Sequence, residues 1–264
     1  MLTTPFGRTE YSVSTIGFGA WAIGASWGDV DDETGKQALP AALDSGVTFL
    51  DTADVYGDVH SERLIAAVLR KGRGEKLFVA TKAGRRLANQ TVDGYSKTNL
   101  TAWIERSLKN LVDCLDCPIE LFFQEAVRKQ VALIARVPIA SGLLSEKLRT
   151  DTSFSDTDHR KFNRNGEAFD VGETFSGVPY DVGLAAVERE RNLIGSGNTT
   201  MARFALRWIL MFNAVTIAIP GARNADQAKS NTDAASLPHM SEQVMAELAA
   251  VYDQDIHPHV RQRW

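Results

Sequence analysis

Along the chain, short runs of apolar and β-branched residues alternate with stretches whose apolar positions recur every three or four residues, the pattern of a parallel α/β architecture. Ser14 to Ala22 reads as a strand ending in small residues, and Asp31 to Ser45 as a helix that Gly46 closes. Val47-Thr48-Phe49-Leu50-Asp51-Thr52 is a second strand, followed by a loop at Tyr56-Gly57-Asp58. Ser61 and Glu62 open a helix whose apolar face is Leu64, Ile65, Val68 and Leu69. A third strand, Leu77 to Lys82, precedes a helix through Trp103, Ile104, Leu108 and Leu111, for which Asn99 or Thr101 is the candidate cap.

The second half is less regular. Ile119 to Gln130 reads as helical and Val131 to Ala140 as a buried strand. Leu148 to Ser176 is polar and without periodicity, as expected of an active-site loop or lid. Helical patterns return at Asp181 to Ile194 and Thr200 to Phe212, and a last strand, Val215 to Ile219, ends in Pro220-Gly221. The chain therefore offers five strands of the kind that line a (β/α) barrel, whereas closing a (β/α)₈ ring takes eight.

Composition narrows the function. A length of 264 residues, 44% hydrophobic and 23% charged, suits one globular domain over residues 1–264. A net charge of −4 argues against a nucleic-acid partner, so any phosphate binding must be local. The N-terminal residues have no basic head or apolar run, and no stretch is apolar enough to span a membrane, so a cytoplasmic protein is expected. Cys114 and Cys117 are spaced as a redox pair or half a zinc site, but no second cysteine pair exists. Two reduced thiols and no metal site are the expectation.

In parallel barrels, chemistry sits at the C-terminal ends of the strands. Asp51 and Lys82 occupy two such ends, and Tyr56 lies in the loop after Asp51. Taken singly, each has an ordinary explanation: a turn cap, a loop aromatic, a solvated strand end. Together they form a proton-donating set. A carbonyl accepts hydride well only if its oxygen receives a proton or a strong hydrogen bond. A phenol can supply one, an adjacent ammonium should bring its pKa nearer neutral, and a carboxylate would keep that ammonium charged.

The stretch Phe49-Leu50-Asp51-Thr52-Ala53-Asp54-Val55-Tyr56-Gly57 resembles the aldo-keto reductase signature. Gly17-Phe18-Gly19-Ala20-Trp21 is similar to the family's first barrel strand, Val79-Ala80-Thr81-Lys82 to its third, and Trp103 to Leu108 to its third helix. Pro138 to Leu144 looks like its seventh strand and loop, and Ile219-Pro220-Gly221-Ala222-Arg223 like its eighth. The resemblance covers nearly the whole chain and implies a (β/α)₈ TIM-barrel plan that reduces a small-molecule aldehyde or ketone with NADP(H). It makes Tyr56 the acid, Lys82 its modulator and Asp51 the partner of Lys82. It places Gly19, Ala20 and Trp21 near the nicotinamide and Ser141, Gly142, Leu143 and Leu144 at the pyrophosphate. Pro220, Gly221, Ala222 and Arg223 would cover the adenosine end, Arg223 taking the 2′-phosphate and Gln227 and Asn231 reaching adenine.

The resemblance has a break. From Leu111 to Leu121 the chain runs from the end of the third helix almost directly into what looks like the sixth, so strands four to six and a fourth-strand histidine are not visible. Either the chain is shortened near 113–120, or its continuous numbering conceals residues, or it is a splice. His60, near Tyr56, is the histidine to watch. His159, His239, His257 and His259 read as structural or solvated. A non-catalytic NADP-binding protein and an inactive truncated product stand as alternatives to an active reductase.

Overall fold

The computed structural model describes residues 1–24, 32–70, 77–82, 84–86, 94–111, 130, 132–194 and 199–260. The break near 113–120, both cysteines and most of the helix expected at 119–130 lie outside the described residues. Strands β1 (Thr3–Pro5) and β2 (Ser12–Ser14) form an antiparallel hairpin. Then follow β3 (Phe18–Gly19), α1 (Trp21–Gly24), α2 (Asp32–Asp44), β4 (Phe49–Asp51), α3 (His60–Val68), β5 (Phe78–Ala80) and α4 (Lys97–Leu111). After β6 (Ile134–Ala135) come α5 (His159–Phe162), α6 (Tyr180–Ile194), α7 (Met201–Ile209), β7 (Ile217–Ala218), α8 (Ala225–Asp233), α9 (Glu242–Val251) and α10 (His257–Val260).

All five expected barrel strands are present. β3, β4 and β5 pair in parallel, Gly19 standing opposite Asp51 and Asp51 opposite Ala80. β6 pairs in parallel with β7, and β7 meets the first barrel strand through the bridges Ile16–Ala218 and Gly19–Gly221. Among the described residues the order is thus β6–β7–β3–β4–β5, with the last barrel strand beside the first. Backbones approach closely at this seam: a Cβ on Gly19 would lie 2.9 Å from the carbonyl oxygen of Ile219.

Strand alternation sorts the side chains. Leu50 and Val79 point outward into a cluster with Leu39, Ala42 and Ile65 of α2 and α3, and Ala218 packs outward on Leu206 and Ala234. Phe49, Ile217 and Ile219 face inward with Phe78, Ala80 and Ile134. The inner cluster also takes Val13 and Phe6, so the N-terminal hairpin closes the lower end of the array, with the Phe6 and Phe49 rings 5.5 Å apart. The sequence pattern does not show this hairpin; the strand expected from Ser14 includes only the last residue of β2. Each of its strands has only three residues, too few to display a period.

Helix boundaries fall close to expectation. Ser96 rather than Asn99 or Thr101 stands at the start of α4, its Oγ accepting from the Asn99 backbone N–H at 3.3 Å. Thr200 caps α7, accepting from the Arg203 backbone N–H. The polar stretch 148–176 is an ordered loop built on Asn163, fully buried, whose Oδ1 accepts from the Ala168 and Phe169 backbone and whose Nδ2 donates to Thr174. Phe154, Phe175 and Tyr180 pack beneath it.

On α6, burial and the nearby Asp255 carboxylate push Glu190 up to about 7. A raised acid binds its proton more tightly folded than unfolded, so its contribution is full below the ordinary glutamate value and is lost as pH rises to about 7. Glu190→Gln should therefore remove a loss on the order of 1–3 kcal/mol between pH 5 and 8. Denaturant melts of both proteins at the two pH values check this, and an unchanged pH slope in the variant refutes it.

Candidate active site

Inward alternation carries past the apolar layer to the polar ends of the strands. Phe49 is followed inward by Asp51, and Ala80 by Lys82. Lys82 Nζ donates to Asp51 Oδ2 at 2.8 Å and Oδ1 at 3.0 Å, and to the carbonyl oxygen of Thr52 at 2.9 Å. It also lies 4.9 Å from the centre of the Tyr56 ring. The three side chains selected from sequence therefore meet at one place.

Burial alone would lower the Lys82 pKa, but Asp51 and then Tyr56 more than offset it, and the ammonium is held above its ordinary value. Burial also pushes the Tyr56 phenol up. Lys82 opposes this without overcoming it, and Asp51 adds to it. Sequence reasoning expected the ammonium to bring the phenol nearer neutral. In this structure desolvation wins, and Tyr56 keeps its proton, the form a proton donor needs.

The loop that presents Tyr56 is tightly held. Gly57 takes φ +64°, and a Cβ there would meet the Gly24 carbonyl oxygen at 2.1 Å, so only glycine fits. Beneath it, Ser61 and Glu62 are fully buried at the start of α3. Ser61 Oγ donates to the Ala20 carbonyl and shares a 2.7 Å hydrogen bond with Thr52, while Glu62 accepts from Thr81 at 2.8 Å. Helix α3 is thereby tied to the ends of three strands.

Two anchors escaped the sequence reading. Asp54 is fully buried and accepts from Arg86 Nε at 3.2 Å and from Arg106 Nη2 of α4. The signal was present, since Asp54 lies inside the signature and Arg106 inside the helix that resembles the family's third. The other is His159, read as solvated or structural and found fully buried, its ring 4.6 Å from Trp21. Trp21 in turn stacks on Tyr56 at 5.8 Å. His60 stands at the start of α3.

A second group gathers around Ser141. Ser141 and Gly142 turn through φ 52° and 97°, and the buried Ser141 Oγ has no hydrogen-bond partner. Arg160, absent from the sequence reading, is gripped by Asp158 through Nε at 2.9 Å and Nη2 at 2.6 Å, and its Nη1 reaches the Ser141 carbonyl at 3.4 Å. A Cβ on Gly142 would lie 3.2 Å from that guanidinium. Burial, then the nearby positive charge of Arg160, lower the Arg223 pKa. Two guanidiniums close enough to repel, beside an unpartnered buried hydroxyl, fit a bound phosphate. The expected phosphate-binding residues thus suit the NADP(H) that the resemblance implied.

Other expected cofactor contacts are engaged differently. The Leu143 side chain is buried against Leu148, Phe175 and Val187 and turned into the protein, with Leu144 packed on the edge of the same cluster. Gln227 Oε1 accepts from the Arg223 backbone N–H at 2.8 Å, and Asn231 Nδ2 donates to the Gly221 carbonyl at 3.2 Å. Both amides brace the 220–224 loop. Ala20 and Ala222 are buried in the outer cluster, Gly19 is part of the seam, and Pro220 accepts from the Gly19 backbone N–H at 3.0 Å. A separate cleft of about 390 Å³, lined by Leu193, Phe204, Leu237 and His239 among others, shares no residue with either group.

Comparison with known proteins defines the class. The aldo/keto reductase family model matches residues 15–117 and 120–253, and the chain belongs to that family. It is 33% identical over 111 residues to Aldo-keto reductase YhdN of Bacillus subtilis, a match covering 41% of this chain and 34% of that protein. The chain thus spans about a third of that relative's length in the matched stretch. A second B. subtilis protein, the oxidoreductase YqkF, is 22% identical over 317 positions, covering 95% of this chain and 96% of its own. Among solved structures, the glycerol dehydrogenase AKR11B4 from Gluconobacter oxydans superposes with a TM-score of 0.73 at 21% identity, covering 96% of both chains. The holo form of aldo-keto reductase AKR11C1 from Bacillus halodurans gives 0.68 at 19%, covering 95% of this chain and 96% of its own. These neighbours share the α/β barrel fold.

Removing Asp54 takes the buried carboxylate from Arg106 and leaves Arg86 with Asp58. Asp54→Ala should cost about 2–4 kcal/mol, read as a lowered denaturant midpoint with an unchanged m-value. A loss below about 0.5 kcal/mol would show that this ion cluster is not structural.

Proposed function

We propose that the chain reduces an aldehyde or ketone to an alcohol with NADPH, Tyr56 donating the proton. The observation that carries this reading is the contact set of Lys82, bound to Asp51 at 2.8 Å and held over the Tyr56 ring. A bound nicotinamide would supply the hydride. As that hydride reaches the carbonyl carbon, the Tyr56 O–H bond breaks and its proton passes to the carbonyl oxygen. The phenolate left behind sits beside the Lys82 ammonium, which stabilises the new negative charge in a partly desolvated site. Asp51 keeps that ammonium charged and fixed. Trp21, between Tyr56 and His159, walls one side of the cleft and limits water access.

Ser141, Gly142, Arg160 and Arg223 would hold the cofactor's phosphates, with Arg223 favouring NADP over NAD. Gly19, Ala20 and Trp21 would lie by the nicotinamide, and Pro220 to Arg223, Gln227 and Asn231 by the adenosine end. We also read residues 1–264 as one barrel domain lacking the segment with strands four to six near 113–120. In support, the family match breaks between 117 and 120, and the YqkF alignment has more positions than this chain has residues.

Tyr56→Phe should lower kcat for carbonyl reduction by roughly 10²–10⁴ while NADPH still binds. Because Tyr56 is raised, wild-type kcat should hold level from pH 7 to 9 and fall only as the phenol ionises above its ordinary value. Full activity in Tyr56→Phe would refute the assignment. Arg223→Ala should weaken NADPH about tenfold or more and NADH little, as measured by fluorescence titration. Equal wild-type affinity for both cofactors would remove the stated preference.

A further inference from the structure

One polar residue in the inward layer has no part in the proton-donating set. β6 sends Ile134 into the interior and Ala135 outward onto the Leu206 cluster. By the same alternation that delivers Asp51 and Lys82, the next inward position on β6 is Arg136. Its register is fixed, since Ala135 pairs with Ala218 and accepts from the Ile219 backbone N–H at 3.1 Å. Val137, just after it, takes φ +50°, a conformation β-branched residues rarely adopt, so the chain turns sharply at this point.

Among the described residues, the positive charges around the site are not equally paired. Lys82 is matched by Asp51. Arg85 is matched by Glu173, to which its Nη2 donates at 3.0 and 3.2 Å. Arg136 has only a long contact with that same Glu173, at 3.8 Å, and among the described residues it donates no hydrogen bond. Its side chain is 60% exposed. The positive charge is near enough to favour the ionised forms of both Asp51 and Tyr56. An exposed guanidinium beside the reacting groups, with its partner carboxylate already bound to Arg85, is arranged to receive a second carboxylate.

We propose that Arg136 determines substrate specificity, pairing with a carboxylate on the carbonyl compound so that the preferred substrates are oxo acids or carboxylated aldehydes. Glu173 shows that a carboxylate fits between Arg85 and Arg136. A substrate carboxylate would engage the free face of Arg136 while its carbonyl oxygen reaches Tyr56. The inference rests on the reductase reading for the carbonyl step but not for the anion site.

The test compares 4-carboxybenzaldehyde with benzaldehyde, following NADPH oxidation. Wild type should favour the carboxylate by about tenfold or more in kcat/KM, mainly through KM. Arg136→Gln should erase most of that preference, and Arg136→Lys should keep part of it, since an ammonium retains the charge without the planar fork. The NADPH dissociation constant, measured in parallel, should move less than about threefold. Equal use of both aldehydes by wild type, or an equal loss on both in Arg136→Gln, overturns the anion site and leaves the reductase reading standing. Should neither aldehyde turn over, calorimetric titration with benzoate and benzamide decides. Benzoate binding that weakens about tenfold in Arg136→Gln keeps the anion site and rejects the reductase, while no benzoate binding, or binding indifferent to the substitution, rejects the anion site.

Discussion

The structure depends on the strict alternation of side chains along short parallel strands. Three of the barrel strands place one apolar residue inward at mid-height and one polar residue inward at the C-terminal end, while the residue between faces the helices. Phe49 and Asp51, Ala80 and Lys82, and Ile134 and Arg136 repeat this arrangement on three strands. The lower layer, capped by Phe6 and Val13 of the hairpin, puts apolar side chains beneath the site. The upper layer therefore stands on an apolar floor, where charges are weakly screened and interact over several ångströms. A one-residue slip in any of these strands would exchange floor for function.

That apolar floor explains how three ionisable groups share a small space. Desolvation opposes ionisation of the Tyr56 phenol and of Asp51, and acting alone would lower the Lys82 pKa. The carboxylate and the ammonium resolve the conflict by binding one another, and the phenol next to them remains neutral. Around this centre, Asp54 with Arg86 and Arg106, and Asp158 with Arg160, fix the loops on either side through buried charge pairs. Such pairs contribute less to stability than to holding one geometry.

Much of this was legible in the sequence where the residues carry a period or a motif. Five strands were readable from runs of apolar and β-branched residues, and Asp51 and Lys82 from their position at strand ends, with Tyr56 in the loop after Asp51. The hairpin was not, because three-residue strands show no alternation. His159 and Arg160 lie in a stretch that reads as polar loop, and their burial comes from the scaffold around Asn163 and from Phe154 and Trp21, contacts between positions far apart in sequence. Arg136 was hidden inside a segment that reads as a uniformly buried strand. Only the inward register, set by pairing with β7, separates it from its apolar neighbours. Gln227 and Asn231 were placed correctly on the helix after the last strand, but their hydrogen bonds to the backbone at 221 and 223 are a property of the folded loop.

The seam between β3 and β7 has a consequence for how the molecule is made. Ile16 cannot meet Ala218, nor Gly19 meet Gly221, until the long stretch between them has been synthesised, so this seam closes late. Helices α2 and α3 can fold early on β3 to β5, but the loop around Arg223 is made much later. Contacts of such long sequence separation form slowly. A nascent chain would thus carry Asp51, Tyr56 and Lys82 well before the Arg223 loop could stand near them.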